Sequence, residues 1–461
     1  MKKIYLITLA SFFTFLSCTK EEFLDKDPYN LLLSENVVTN IESLTSATYG
    51  AYNNFQNVYY NNSYVPILGD MMSDNVNATW SLLGNIDKYA PTNATDSYVK
   101  RVWDQIGKQI AHTSIVIREA EALDFGGDQT KANNLIGQLY VARSLAYFDM
   151  QKLFAQPYNF SSDASHLGAT IVDENIIGNE IINPARAKTS VVYAKIITDI
   201  QKGITLIGDD TSSAYLLNKN SAKALLSRVY LYKEDWTNAS TLASEVINSG
   251  KYSLVSNATY VASWAAETTT ESIFSIKNTE TDNGGTSAIP YLYGRPRFKA
   301  TPDLVSAIDA DDVRSNLIAA NKALKYPAYS TRDNNTPLIR LSELYLIQAE
   351  ALAELGGASE AAARTALNMI LLRSNPAATA YTESGQALKD AIQHEKRKEL
   401  MFEGHRLFDL TRKKKSFTKY STSSLVPITV SYPNNYTILP IPQAEIDANT
   451  SISQSDQNTG Y

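Results

Sequence analysis

From Val99 to Val246, apolar residues return every three or four positions in segment after segment. A chain patterned this way buries its stripes by packing helix against helix. Val99, Trp103, Ile106, Ile110 and Ile117 form one such stripe, which makes Trp103 a core residue. Leu135 to Phe154 carries a second, through Leu139, Ala142, Leu145, Ala146, Met150 and Leu153, and breaks at Gln156-Pro157. Val191 to Ile207 is a third, with Thr189-Ser190 as its start. Ala222 to Val246 predicts a pair of helices in which the small residues Ser227 and Ala239 permit close approach, the tetratricopeptide arrangement. A second, degenerate copy begins at Leu341, with Ala349, Gly356-Gly357 and Ala361 in the corresponding places.

These patterns predict a mainly α fold: tetratricopeptide-like helical pairs forming a scaffold, with long irregular insertions and a few short strands such as Ser272–Lys277. The expected organisation is one unit over 18–461. Its scaffold covers about 35–250 and 338–412, its loop-rich insertions about 55–98 and 251–337, and an extended tail 413–461. The insertions are rich in Asn, Thr, Ser, Gly, Pro and Tyr. Loops of that length in a compact domain are usually functional or disordered, and their aromatic content argues against disorder. With 28 tyrosines against 14 phenylalanines, the chain favours a side chain suited to half-wet surfaces. A formal net charge of -6 gives no basis for nucleic-acid binding. The basic run Arg412-Lys413-Lys414-Lys415 fits a helix C-terminus.

The single cysteine, Cys18, cannot form an internal disulfide. It follows Met1-Lys2-Lys3 and an uncharged apolar run from Ile4 to Leu16, shorter than the ~20 residues a spanning helix needs. Residues 1–17 thus have the shape of a signal peptide, and Leu16-Ser17-Cys18 resembles a bacterial lipobox. That resemblance implies cleavage before Cys18 and a lipid on its sulfur, which would hold the chain at a membrane.

Near the C-terminus, EKRKELMFEGHRLFDLTR (395–412) is dense in groups capable of catalysis. Drawn as one helix, it puts Glu395, Glu399 and Arg406 on the apolar stripe of Leu388, Ile392 and Phe402, so the carboxylates must be paired. Glu395, Arg397, Glu399 and Arg406 are therefore expected to form a structural ion-pair network, with Arg406, Arg397 or Lys396 answering the glutamates. A zinc-protease motif fails because Lys398 stands where the second histidine belongs. With four histidines and no clustered spacing, neither a metal nor another cofactor is expected.

The same stretch resembles the signature of the SusD/RagB family of outer-membrane lipoproteins. RLSELYLIQAEA (340–351) followed by Gly356 resembles the family's preceding helix, and ILPIPQAEIDAN with QNTGY resembles its ending. Phe23-Leu24-Asp25 with Pro28 resembles its start, and Glu21-Glu22 its surface-export signal. The departures are Thr459, where proline is usual, and Phe154-Ala-Gln-Pro157 in place of a Tyr-Gly-x-Pro turn. The resemblance implies a lipid-anchored, outward-facing protein without catalytic residues. It would capture oligosaccharides and deliver them to a SusC-like TonB-dependent outer-membrane transporter.

No ligand residue follows from the family motif, so candidates come from the composition of the insertions. Trp80, in a polar loop with Asp74 and Asn77, is the leading platform, joined by Tyr59, Tyr60 and Tyr64. In the second insertion Trp264, Tyr291, Tyr293, Arg295 and Arg297 combine rings with cations. Three alternatives stay open: a glycoside hydrolase with two carboxylates across a cleft, a peptide-capture protein, and a structural lid for the transporter. Calcium at Asp309-Ala-Asp-Asp312 is a further open question.

Overall fold

The computed structural model describes residues 37–78, 86–90, 94–172, 183–295, 298–420 and 427–461. The expected signal peptide and Cys18 lie outside the described residues. The scaffold is helical: α1 (Ile41–Phe55), α2 (Tyr64–Met71), α3 (Ser97–Glu121), α4 (Gln129–Phe154), α5 (Thr189–Leu206), α6 (Lys219–Lys233) and α7 (Trp236–Asn248). After the second insertion, which contains the short helices α8 (Tyr260–Ser263), α9 (Ile289–Gly294) and α10 (Pro302–Ser306), come α11 (Leu341–Leu355), α12 (Glu360–Ser374), α13 (Gly385–Glu399), α14 (Arg406–Arg412) and α15 (Gln443–Ala448). No described helix is long and apolar enough to cross a membrane.

Local sequence sets the helix ends. Asp96 caps α3 by accepting from the Tyr98 and Val99 amides, and Asn218 with Ser221 forms a capping box on α6. Glu234 in the left-handed region ends α6, and Asp235 at once caps α7, giving a tight antiparallel hairpin. Inside it Ser227 Oγ donates to the Ala239 carbonyl at 2.8 Å, so the two small residues do bring the helices together. In the second copy the turn is made by Gly356 and Gly357, both at positive φ. Ala361 is exposed there, and Ala363 and Ala366, one turn further into α12, make the close approach to α11 instead.

Neighbouring helices pack in chain order from α3 to α7, and α7 then packs directly on α11. The stack is thus continuous across the second insertion, which bulges out between its two halves. The insertion stands on a stem: β2 (Ser272–Ile276) pairs antiparallel with β4 (Thr336–Arg340), which runs straight into α11. The first insertion is tied to the second by β1 (Val76–Ala78) pairing with β3 (Phe298–Ala300). It is also less loop-like than expected, since α2 lies within it and is buried along its whole length. The tail closes on the scaffold, where Asn458 donates to the Phe154 carbonyl at 2.8 Å and satisfies the open end of α4.

The C-terminal signature is two helices rather than one. Phe402 (φ 66°) and Gly404 (φ 79°) turn the chain between α13 and α14, so Arg406 leaves the stripe of Glu395 and Glu399. The glutamates find other partners. Glu399 accepts from Arg340 and Arg373, each at 2.7 Å, and from Arg314 at 3.2 Å, while Glu395 pairs with Arg314 and Lys398. Arg406 instead makes a bidentate pair with Asp74 at 2.8 Å, and Arg397 reaches Asp74 and Asp303. Asp312 is bound by Arg314, and no group of three metal-ligating side chains occurs among the described residues.

Candidate functional site

Helix α9 begins at Ile289-Pro290 and ends at Gly294, with Tyr291 and Tyr293 two positions apart and hence on opposite sides. Tyr293 points inward and is buried; its hydroxyl donates to Asp70 Oδ2 at 2.7 Å. Tyr291 points outward and is half-buried. The loop 326–335 repeats this alternation. Tyr326 is buried and lies parallel to Tyr293, with ring centroids 5.9 Å apart and planes 7° apart. Tyr329 is 41 % exposed and lies parallel to Tyr291, at 5.3 Å and 3°. One inner pair therefore anchors the loop, and one outer pair faces solvent.

Arginines flank the outer pair. The Arg295 guanidinium carbon sits 4.1 Å from the Tyr291 ring centroid and that of Arg332 sits 5.0 Å from it, both within cation–π range. Gly294 allows the stack, because a Cβ there would lie 2.3 Å from Tyr329 Cδ2. Asn334 holds the loop: its Oδ1 accepts from the Ala328 amide at 2.6 Å and its Nδ2 donates to the Trp264 carbonyl at 3.0 Å.

Trp264 borders a cleft lined also by Tyr260, Glu267, Lys325, Asn335 and Arg340. The Lys325 ammonium stands 4.5 Å over the Trp264 ring, and the Trp264 Nε1 is buried without an acceptor among the described residues. Asn335 Nδ2 donates to the Tyr215 hydroxyl at 2.9 Å, which leads into a shallow groove of Tyr49, Tyr215, Gln56 and Lys277; Tyr49 there is 56 % exposed.

Several candidates take other places. Tyr60, Tyr64, Asp74 and Asn77 join Tyr293 among the buried residues, Asp74 at the edge of a cavity it shares with Arg406 and Tyr420. Tyr60 and Tyr64 became core because α2 folds the first insertion onto the scaffold, and Tyr64 stacks on Tyr98. Burial would raise the Asp74 carboxyl, but Arg406 and Arg397 bring it below the ordinary value. Asn77 donates to the Tyr420 carbonyl. Tyr59 is half-buried beneath the Arg101 guanidinium. Trp80 and Arg297 lie outside the described residues. Many insertion asparagines serve structure too: Asn62 and Asn278 exchange amide hydrogen bonds of 2.9 and 2.8 Å and fasten the two insertions together. Composition missed Tyr329 and Arg332, whose only signal is a tyrosine and an arginine in the turn-rich stretch Pro327-Ala-Tyr-Ser-Thr-Arg332.

Electrostatically the site rests on a saturated interior. Burial alone would raise Glu403, yet Arg340 and Lys325 hold it down at about 2. Glu399 likewise stays well below the carboxylate range against its burial, through Arg373, Arg340 and Arg314. These acids are committed to cations, which leaves them unsuited to proton transfer with a substrate.

Comparison with known proteins agrees with this architecture. A family model described as the SusD family matches residues 317–461, and one described as "Starch-binding associating with outer membrane" matches residues 22–231. SusD-like protein P38 of Formosa agariphila is 23% identical over 492 residues, spanning 90% of this chain and 91% of that one. A SusD superfamily protein from Bacteroides vulgatus is 28% identical, with a TM-score of 0.83 over 92% of this chain and 100% of that one. A putative sugar binding protein from the same species is 26% identical, with a TM-score of 0.84 over the same shares. The helical scaffold fits these matches, and with the two models together spanning residues 22–231 and 317–461 the chain belongs to the SusD/RagB family, one of whose models is described as starch-binding and associating with the outer membrane.

Proposed function

We propose that this protein captures oligosaccharides at the cell surface on the Tyr291–Tyr329 pair and hands them to a TonB-dependent transporter. On this reading Cys18 carries the lipid that tethers it, and the chain performs no catalysis. The observation that carries the reading is Tyr329, an exposed aromatic face held parallel to a second ring on a loop anchored by the buried Tyr293–Tyr326 pair. A sugar ring offers CH groups on its faces and hydroxyls on its rim, so a flat, pre-ordered ring contributes contact area at little entropic cost. The starch-binding description of the matching family model supports the ligand class. Delivery rests on the family resemblance and on the rigid helical surface available for a partner.

Calorimetric titration of the mature protein with a panel of oligosaccharides tests capture. Binding by the wild type that is lost in Tyr329→Ala, with unchanged circular dichroism, is the expected result. Affinity for peptides with none for any saccharide would favour peptide capture instead. Co-purification with a co-expressed SusC-like TonB-dependent transporter tests delivery.

A further inference from the structure

We propose that the tyrosine platform selects acidic glycans, those bearing a carboxylate or a sulfate ester, through Arg295 and Arg332. This deepens the capture reading above and rests on it.

Most interior arginines among the described residues are neutralised by a carboxylate, and the buried Arg186 instead donates to backbone carbonyls and to Asn458. Arg143, Arg228, Arg314, Arg340, Arg373, Arg406 and Arg412 each have a carboxylate partner. Arg295 and Arg332 are half-buried yet form no ion pair among the described residues. Asp333, next in the chain, accepts instead from Thr331. The Nε of Arg332 is buried with no hydrogen-bond partner among the described residues. Arg332 is also held at φ 64°, a conformation unfavourable for a residue with a side chain, and from there its guanidinium lies over Tyr291. Two cations drawn to one ring leave positive charge there that no ion pair of the described residues answers.

An anion does so. A guanidinium presents a planar fork of donors that matches carboxylate and sulfate oxygens, and stacking on tyrosine fixes its plane before the ligand arrives. The exposed part of Tyr329 is left to cover the CH face of the sugar that carries the charge. A neutral glycan would use the ring, and its hydroxyls could accept from the arginines, but both guanidinium charges would stay without a counter-charge. Carboxylated and sulfated sugars satisfy this chemistry alike.

The test is calorimetry on the mature protein with three sets of oligosaccharides matched in length: neutral gluco-oligosaccharides, oligogalacturonates and sulfated galactan fragments. The expected result is at least tenfold tighter binding of one or both anionic sets. That advantage should disappear in Arg295→Gln/Arg332→Gln while thermal unfolding is unchanged. Wild-type affinity for the anionic set should also fall as sodium chloride rises, a reading that needs no variant. Equal or better binding of neutral sugars, or anionic binding insensitive to the double substitution and to salt, would overturn the selectivity and leave capture standing. Absence of binding to any of the three sets would overturn both.

Discussion

A Cβ added to Gly69 would lie 2.0 Å from the carbonyl oxygen of Gly404, so the two backbones touch where α2 crosses the turn between α13 and α14. Gly404 is further constrained, because it sits at φ 79° and its own Cβ would fall 2.4 Å from Pro66 Cα. Neither clash can be relieved by rotating a side chain. Gly69→Ala and Gly404→Ala should therefore each destabilise the fold by about 3 kcal/mol or more, from overpacking and, at Gly404, backbone strain. Urea unfolding monitored by circular dichroism checks this; midpoints equal to the wild type would show that the crossing is looser than described.

Glu399 is wholly buried and shared by three arginines, so its charge cannot be removed quietly. Glu399→Gln leaves Arg314, Arg340 and Arg373 short of a counter-charge in a dry interior. A loss of ~3–5 kcal/mol is expected. The exposed Lys100–Asp104 pair provides the contrast: Asp104→Asn should cost under about 1 kcal/mol. Comparable losses in the two variants would contradict the assignment of the interior network as structural.

Asp70 supplies a pH signature. Burial raises its carboxyl from 3.8 to about 7, even though the Tyr293 hydroxyl and the Gly404 amide donate to it. The folded chain thus holds this proton more tightly than the unfolded chain does. The associated stability is complete below about pH 4 and is lost as pH rises through 7, amounting to roughly 4 kcal/mol. Glu403 has the opposite sign, since its depressed value of about 2 lends stability above its usual 4.5 that is lost as pH falls. Subtracting the Asp70→Asn stability curve from that of the wild type should isolate the decline between pH 4 and 7. A flat difference across that window would contradict it.

The helical scaffold was legible because its signals are local. Periodic stripes such as Val99 to Ile117 and helix starts such as Thr189-Ser190 depend on neighbours in sequence. The turn at Gly404 was hidden because the helical spacing of 388–402 continues in register to Arg406, and only contact with Gly69 and Pro66 reveals why glycine stands there. The site was harder for a related reason. Tyr60, Tyr64, Tyr293 and Tyr329 all lie in polar, aromatic stretches of similar composition, and burial separates them. Which of them faces water is decided by α2 docking on α14 and by the alternation of α9 against the loop 326–335, both long-range events. Asparagine misled in the same way, since the Asn62–Asn278 pair uses amides to join loops rather than to meet a ligand.

The outer and inner tyrosine pairs should respond to substitution in opposite ways. In Gly294→Ala the new methyl meets the Tyr329 ring, which must tilt out of its parallel contact with Tyr291 while the buried pair stays in place. Saccharide affinity should fall about five- to tenfold, equivalent to ~1–1.4 kcal/mol, with little change in melting temperature. Tyr293→Phe removes the hydroxyl that donates to Asp70 and touches nothing at the surface. It should cost ~1–2 kcal/mol of stability and leave affinity within twofold of the wild type. Calorimetry with whichever oligosaccharide the wild type binds, run beside thermal unfolding, separates the two effects. If Tyr293→Phe weakened binding while Gly294→Ala spared it, the ligand would have to contact the fold elsewhere, and the groove of Tyr49, Tyr215 and Lys277 would become the place to look.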